Sequence, residues 1–152
     1  MSRIAFFPGS FDPITKGHED IVRRAIPMYD QIIVGLGVNS SKNYMFSFKQ
    51  RIKWIEETFI HCKNIKVISY QGLTIDACKK HNAKFILRGL RNSNDYEYEK
   101  RIAMMNQALA QNIETVYLNT RPELSAISST IIREIIKNQG DAGPFLASGV
   151  QL

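Results

Sequence analysis

The sequence predicts an α/β fold, one doubly wound domain over residues 1–152 with a five-stranded parallel sheet. Three observations predict it. Short apolar runs alternate with helical patterns about five times, the order imposed by a parallel sheet with covering helices. The runs are apolar throughout, without the in–out alternation of a half-exposed strand, as strands between two helical layers must be. And 152 residues, 44% hydrophobic and 22% charged, suit one globular core that needs no disulfide or metal staple.

Each element has its own signal. Arg3 to Phe7 is a buried strand that stops at Pro8-Gly9. A helix starts near Gly17, with Ile21, Ala25 and Tyr29 on one stripe and Val22 and Ile26 beside it. Pro27 lacks the N–H of a helix interior, so it ends or kinks that helix. Gln31 to Val38 is the second strand, followed by a polar loop from Asn39 to Tyr44. Ser47 and Gln50 fit a capping box for a helix reaching about Phe59. Ile65 to Tyr70 is the third strand, Leu73 to His81 a short helix, and Lys84 to Leu87 the fourth strand. Asn94 and Glu97 are the expected cap of the next helix, whose Tyr98, Ile102, Met105 and Leu109 share one apolar face. Thr115 to Leu118 is the fifth strand. The last long helix opens at Ser128-Ser129-Thr130, carries Ile131, Ile132, Ile135 and Ile136, and closes at Gly140 as its cap. The tail from Asp141 has room for one short helix. The whole reads as a Rossmann-like layering.

Composition narrows the function classes. Twenty Lys and Arg against 14 Asp and Glu leave +6, which points to a polyanionic partner: nucleic acid, membrane surface or a phosphate-rich small molecule. No stretch approaches the ~20 apolar residues of a membrane helix. Ile4-Ala5-Phe6-Phe7 before Pro8 is too short for a signal peptide or anchor. Cys62 and Cys78 lack companions at zinc-ligand spacing and read as reduced thiols, which suggests a cytoplasmic protein.

In a doubly wound sheet, ligands bind outside the carboxyl ends of the strands, so the loops there deserve a chemical reading. After the first strand, Pro8 to His18 contains two glycines that let the backbone approach a ligand. It ends with His18 in a helix's first turn, where N–H groups and the dipole favour an anion. After the second strand come Ser40, Ser41 and Lys42. After the fourth, Arg88 and Arg91 bracket Gly89; two guanidiniums so close repel unless an anion lies between them, or unless each pairs with Asp95, Glu97 or Glu99. Ser128, Ser129 and Thr130 supply more hydroxyls than one N-cap needs, with Arg133 one turn later. Phosphate binders plus one histidine, without a Ser or Cys nucleophile in triad context or a glycosidase-like carboxylate pair, suggest transfer at phosphorus.

These residues resemble a known family. Thr15-Lys16-Gly17-His18 is similar to the His/Thr-x-Gly-His motif of the nucleotidyltransferase superfamily, and Ile127 to Arg133 resembles its second signature, Ile-Ser-Ser-Ser/Thr-x-x-Arg/Lys. Pro8 to Pro13, Arg88 to Arg91 and Asp95 to Glu99 carry the resemblance to the phosphopantetheine adenylyltransferase family, over residues 3–146. It implies transfer of AMP from ATP to 4'-phosphopantetheine, giving dephospho-coenzyme A and pyrophosphate in coenzyme A biosynthesis. It implies catalytic roles for His18, Lys42 and Arg88. ATP contacts are implied for Ser10, Phe11, His18, Gly89, Leu90, Arg91, Glu99, Leu124, Ser125, Ala126, Ile127, Ser128, Ser129 and Thr130. Acceptor contacts are implied for Ser10, Lys42, Thr74 (through its backbone) and Arg88. Mg²⁺ travelling with ATP, no dedicated protein metal site, and a homohexamer built as a dimer of trimers are implied as well.

Ser10 stands where many members have Thr, and Leu124 where an aromatic is common. A sister enzyme with a flavin or nicotinamide mononucleotide acceptor is the second reading; Arg88-Gly89-Leu90-Arg91 and the short chain argue against it. A non-catalytic basic module is the third, but the sequence does not interleave Lys and Arg with aromatics as a nucleic-acid face does. On this reading neither nucleic acid nor membrane is a partner, and the positive excess belongs to a pocket for small phosphates.

Overall fold

The computed structural model describes residues 2–152. Its strands are β1 (Ile4–Gly9), β2 (Gln31–Gly37), β3 (Ile65–Tyr70), β4 (Phe85–Leu90) and β5 (Glu114–Asn119). They form one parallel sheet in the order β3-β2-β1-β4-β5. The central strands alternate between two cores. Ala5 and Phe7 of β1, Ile32, Val34 and Leu36 of β2, and Leu87 of β4 pack on one face. Phe6, Ile33 and Ile86 pack on the other. This is the double-sided burial that the unbroken apolar runs predict.

The first face is covered by α1 (Lys16–Ala25), through Ile21, Val22 and Ala25, and by α2 (Phe48–Thr58), through Trp54 and Ile55. The opposite face carries α3 (Thr74–Lys80), through Ile75, Ala77 and Cys78, and α4 (Ser93–Leu109), which contacts β4 and β5. A third cluster forms where Ile132 of α5 (Ser129–Lys137) meets Ala142 and Leu146 of the tail. Strand order reverses between β1 and β4, so the loops that follow those two strands leave in different directions and open a crevice.

Four expectations need revision. β4 does not stop at Leu87: Arg88, Gly89 and Leu90 remain paired with Tyr117, Leu118 and Asn119. The cap of α4 is Asn92, whose side chain accepts from the Asp95 N–H at 2.9 Å, and not Asn94. The Tyr98, Met105 and Leu109 stripe faces outward, at 63%, 66% and 56% exposure, while Glu99 is the buried residue of the helix. Finally, α5 ends before Gly140. The Gly140 N–H reaches the Ile135 carbonyl and the Gln139 N–H the Ile136 carbonyl, a Schellman closure with Gln139, at φ +61°, as its left-handed residue.

Other features fall where the sequence puts them. Pro27 ends α1, and a short 3₁₀ turn, Ile26–Met28, follows. Ser47 and Gln50 form their capping box. The tail forms one short 3₁₀ turn, Gly143–Phe145. Cys62 and Cys78 are unpaired, and burial pushes the Cys78 thiol up to about 12.

Candidate active site

Two adjoining clefts of about 270 and 310 Å³ open at the carboxyl end of the sheet. Arg88 and Glu99 line both and form the wall between them.

The first cleft is built on two helix starts. Thr15 caps α1: its Oγ1 accepts from the His18 N–H at 3.2 Å, and His18 Nδ1 accepts in return from the Thr15 N–H at 3.0 Å. Histidine thus takes the capping-box position usually held by Glu or Gln. With Nδ1 committed as an acceptor, the neutral ring carries its proton on Nε2. Burial, then the charges of Arg88 and Arg91, push the His18 pKa down to about 4. The imidazole is therefore a neutral hydrogen-bond donor at physiological pH. Phe11 backs it, edge-on at 5.1 Å between ring centroids.

At the start of α5 each of the three hydroxyls has a partner within the protein. Ser128 Oγ caps the helix by accepting from the Ile131 N–H, Ser129 Oγ donates to the Pro13 carbonyl at 2.9 Å, and Thr130 Oγ1 accepts from Arg133. Accepting leaves Ser128 and Thr130 each an O–H to donate, so this end offers an anion those two protons beside the first-turn backbone N–H groups that an α-helix leaves unpaired. Arg133 also donates to the Asp12 carbonyl at 2.8 Å and does not line either cleft; it ties α5 to the first loop.

The two expected arginines are each paired with a carboxylate. Arg88 makes a fork to Glu99, Nη2 to Oε1 at 2.6 Å and Nε to Oε2 at 3.0 Å, and donates through Nη1 to the Pro8 carbonyl. Arg91 forks to Asp95, which also accepts the Arg91 N–H. Burial acts to raise the Asp95 pKa, but the Arg91 hydrogen bonds and charge outweigh it and hold it below the usual carboxylate range. Each guanidinium thus has its own acid, which offsets the repulsion between the two. Glu97 pairs with neither.

In the second cleft, Lys42 Nζ lies 3.3 Å from Ser10 Oγ and pairs with no carboxylate among the described residues. Asp12 joins the two loops there, accepting from the Met45 and Phe46 N–H groups, while Arg51 holds the Ser10 carbonyl. Gly9 turns out to serve a side chain: a Cβ there would stand 2.8 Å from the Phe11 ring, whose backbone lies at φ +46°.

Of the expected residues, His18, Arg88, Gly89, Arg91, Glu99, Ile127, Ser128, Ser129 and Thr130 line the first cleft, and Ser10, Lys42, Thr74, Arg88 and Glu99 the second. Phe11, Leu90, Leu124, Ser125 and Ala126 line neither. The Phe11 side chain is in the core, and Ser125 Oγ donates to Pro122. Sequence reasoning missed Thr120 in the first cleft and Asn39, Tyr44, Tyr70 and Asn106 in the second. Thr120 had a usable signal, since it directly follows β5. Asn39 and Tyr44, in the loop after β2, and Tyr70, at the end of β3, carried the same strand-end signal; Asn106, inside α4, had none.

Known proteins match this arrangement. A cytidylyltransferase-like family model covers residues 6–135. A phosphopantetheine adenylyltransferase of Flavobacterium psychrophilum is 52% identical over 99% of both chains. The chain belongs to the phosphopantetheine adenylyltransferase family. Other members include those of Flavobacterium johnsoniae, 54% identical over 99% of this chain and 98% of that one, and of Phocaeicola vulgatus, 44% identical over 99% of both. The fold recurs in a bifunctional NMN adenylyltransferase/ADP ribose pyrophosphatase from Francisella tularensis, with TM-score 0.72 at 19% identity over 99% of this chain and 46% of that one. It recurs again in a lipopolysaccharide core biosynthesis protein from Thermoplasma volcanium, with TM-score 0.59 at 16% identity over 80% of this chain and 99% of that one.

Proposed function

We propose that this chain is a single-domain adenylyltransferase that moves AMP from ATP to 4'-phosphopantetheine, releasing pyrophosphate. The observation that carries this reading is the shared wall: Arg88 stands between a cleft with two helix starts and a cleft with Lys42 and Ser10. ATP takes the first cleft and the acceptor the second, so that their phosphates meet at that wall. An acceptor phosphate oxygen attacks the α-phosphorus in line; a P–O bond forms there, the bond to the β-phosphate oxygen breaks, and pyrophosphate leaves. Lys42 and Arg88 hold the attacking phosphate, and Ser10 steadies Lys42. His18 donates its Nε2–H to an α-phosphate oxygen, where negative charge builds in the transition state. Backbone N–H groups of α5, with Gly89, Leu90 and Arg91, hold the rest of the nucleotide. Leu124, Ser125 and Ala126 flank it, and Phe11 contributes through its backbone.

The nucleotide brings Mg²⁺. Among the described residues no three His, Cys, Asp or Glu converge as a cage, and the two carboxylates lining the first cleft, Asp95 and Glu99, are already held by arginine. That donor set suits an ion held mainly by phosphate oxygens and water. Such an ion neutralises phosphate charge. No helix is long and apolar enough to cross a membrane among the described residues, and the unpaired thiols favour a reducing, cytoplasmic setting. The exposed apolar stripe of α4 supports a hexamer; sedimentation at the mass of one chain would refute it.

The test supplies ATP and Mg²⁺ with 4'-phosphopantetheine, nicotinamide mononucleotide or flavin mononucleotide in turn and measures pyrophosphate. Release with the first alone supports the reading. Release only with a mononucleotide contradicts it.

A further inference from the structure

Arg51, near the start of α2, is a buried cation that the transfer step does not use. It is 3% exposed and forms no salt bridge among the described residues. A guanidinium taken out of water must have its charge and its N–H groups met within the protein. Nε donates to the Phe46 carbonyl at 3.1 Å, and Nη1 donates to the Ser10 carbonyl at 2.9 Å. Its central carbon lies 3.8 Å from the centre of the Tyr44 ring. All three partners belong to the loops that follow β1 and β2, and Ser10 and Tyr44 line the second cleft.

These contacts close a circuit around Lys42. Asp12 accepts from the Phe46 N–H at 3.0 Å, so the backbone of Phe46 is held from both sides. The Tyr44 hydroxyl accepts from the Asn39 N–H at 3.3 Å, which ties the entrance of the second loop to its exit. Lys42 lies between. Its Nζ is 5.7 Å from the centre of the Tyr44 ring, within cation–π range, and 3.3 Å from Ser10 Oγ. Lysine is a point charge on a flexible four-carbon stem, so its position depends on what meets its end. Here two groups meet it, and Arg51 holds both: Ser10 by its carbonyl and Tyr44 by its ring. The planar guanidinium spans these partners because it forks and stacks at once, which an ammonium in its place cannot do.

We propose that Arg51 is a positioning residue for the transfer step: it sets the place of Lys42 Nζ and Ser10 Oγ, and through them the place of the acceptor phosphate, without touching substrate. This rests on the assignment of the second cleft to the acceptor.

The experiment measures steady-state rates, with 4'-phosphopantetheine and ATP varied in turn, for the unaltered protein, Arg51→Lys, Tyr44→Leu, Lys42→Ala, and each of the first two substitutions combined with Lys42→Ala. A melting curve accompanies each variant. We expect Arg51→Lys to raise the acceptor KM about tenfold, the scale of one charge-assisted hydrogen bond lost by a displaced Lys42. Tyr44→Leu should raise it about fivefold, and the ATP KM should stay unchanged in both. In the Lys42→Ala background either substitution should add less than about twofold, because the ammonium that it misplaces is gone. A lower melting temperature with the acceptor KM unchanged overturns the proposal. So does a full rise in acceptor KM that persists in the Lys42→Ala background. If Arg51→Lys does not fold, Tyr44→Leu, which removes neither carbonyl partner of Arg51, decides by the same criterion. Those outcomes leave the placement of the acceptor phosphate standing. An unchanged acceptor KM in Lys42→Ala itself overturns that placement and the proposal together.

Discussion

His18 does two things at once, and they can be separated. Its Nδ1 closes the cap of α1, and its Nε2–H is free for a phosphate oxygen. His18→Ala removes both, so we expect stability to fall by about 0.5–2 kcal/mol and kcat by about 10²-fold or more, with a smaller effect on ATP affinity. His18→Gln supplies the usual capping-box residue. Thermal melting should then recover; recovery of kcat as well would mean that the ring is only a cap. The depressed pKa adds a pH signature. The unfolded imidazole takes a proton below its ordinary value of 6.5, while the folded ring resists until about 4. The unfolded state therefore binds more protons in that window, and stability declines as pH falls through it. Denaturant titrations at stepped pH should show a shallower decline for His18→Gln. The sequence revealed that His18 opens a helix beside phosphate binders. It did not reveal the tautomer, which depends on a backbone N–H three residues away in a capped conformation.

The sheet and α4 are joined by the Arg88–Glu99 fork, with the Glu99 side chain 9% exposed. Arg88→Ala leaves that carboxylate buried without its cation, and Glu99→Ala frees the guanidinium. Urea unfolding of both single variants and the double variant should give a coupling of about 1–3 kcal/mol; additive losses would mean that the fork does not position the helix. The fork also explains the misread face of α4. Helical periodicity marks Tyr98, Ile102, Met105 and Leu109 as a stripe, but periodicity cannot tell a face that meets the sheet from one that is left uncovered. The Arg91–Asp95 pair likewise settles the cap two residues earlier than Asn94, because it fixes Asp95 where its N–H meets Asn92. At the end of α5, Gln139 occupies the left-handed position that a helix closure usually gives to Gly. Gln139→Gly should relieve about 1–2 kcal/mol of strain against about 0.4–1 kcal/mol of added chain entropy when unfolded. We expect a net gain between about 0 and 1.6 kcal/mol; a lower melting temperature would contradict the assignment.

At the scale of the molecule, strand order was implicit in the sequence only as alternation. The five apolar runs establish a parallel sheet, but the reversal between β1 and β4 depends on long-range pairing that no local pattern records. That reversal brings Arg88 of β4 to the same crevice as Ser10 and His18, which flank the connection from β1 to α1. The +6 charge also takes on a different meaning. Arg88, Arg91 and Arg133 stand beside Glu99, Asp95 and Asp12, so Lys42 is the candidate-site cation without a nearby acid. Most of the excess therefore lies elsewhere on the surface, and the crevice attracts phosphate through preset forks and helix N–H groups more than through net charge. The central claim is attack at the α-phosphorus across the Arg88 wall. It is tested most directly by incubating the protein with 4'-phosphopantetheine and ATP labelled at either the α- or the γ-phosphate. The account predicts α-label in the acceptor product and γ-label in pyrophosphate; γ-label in the acceptor product would contradict it.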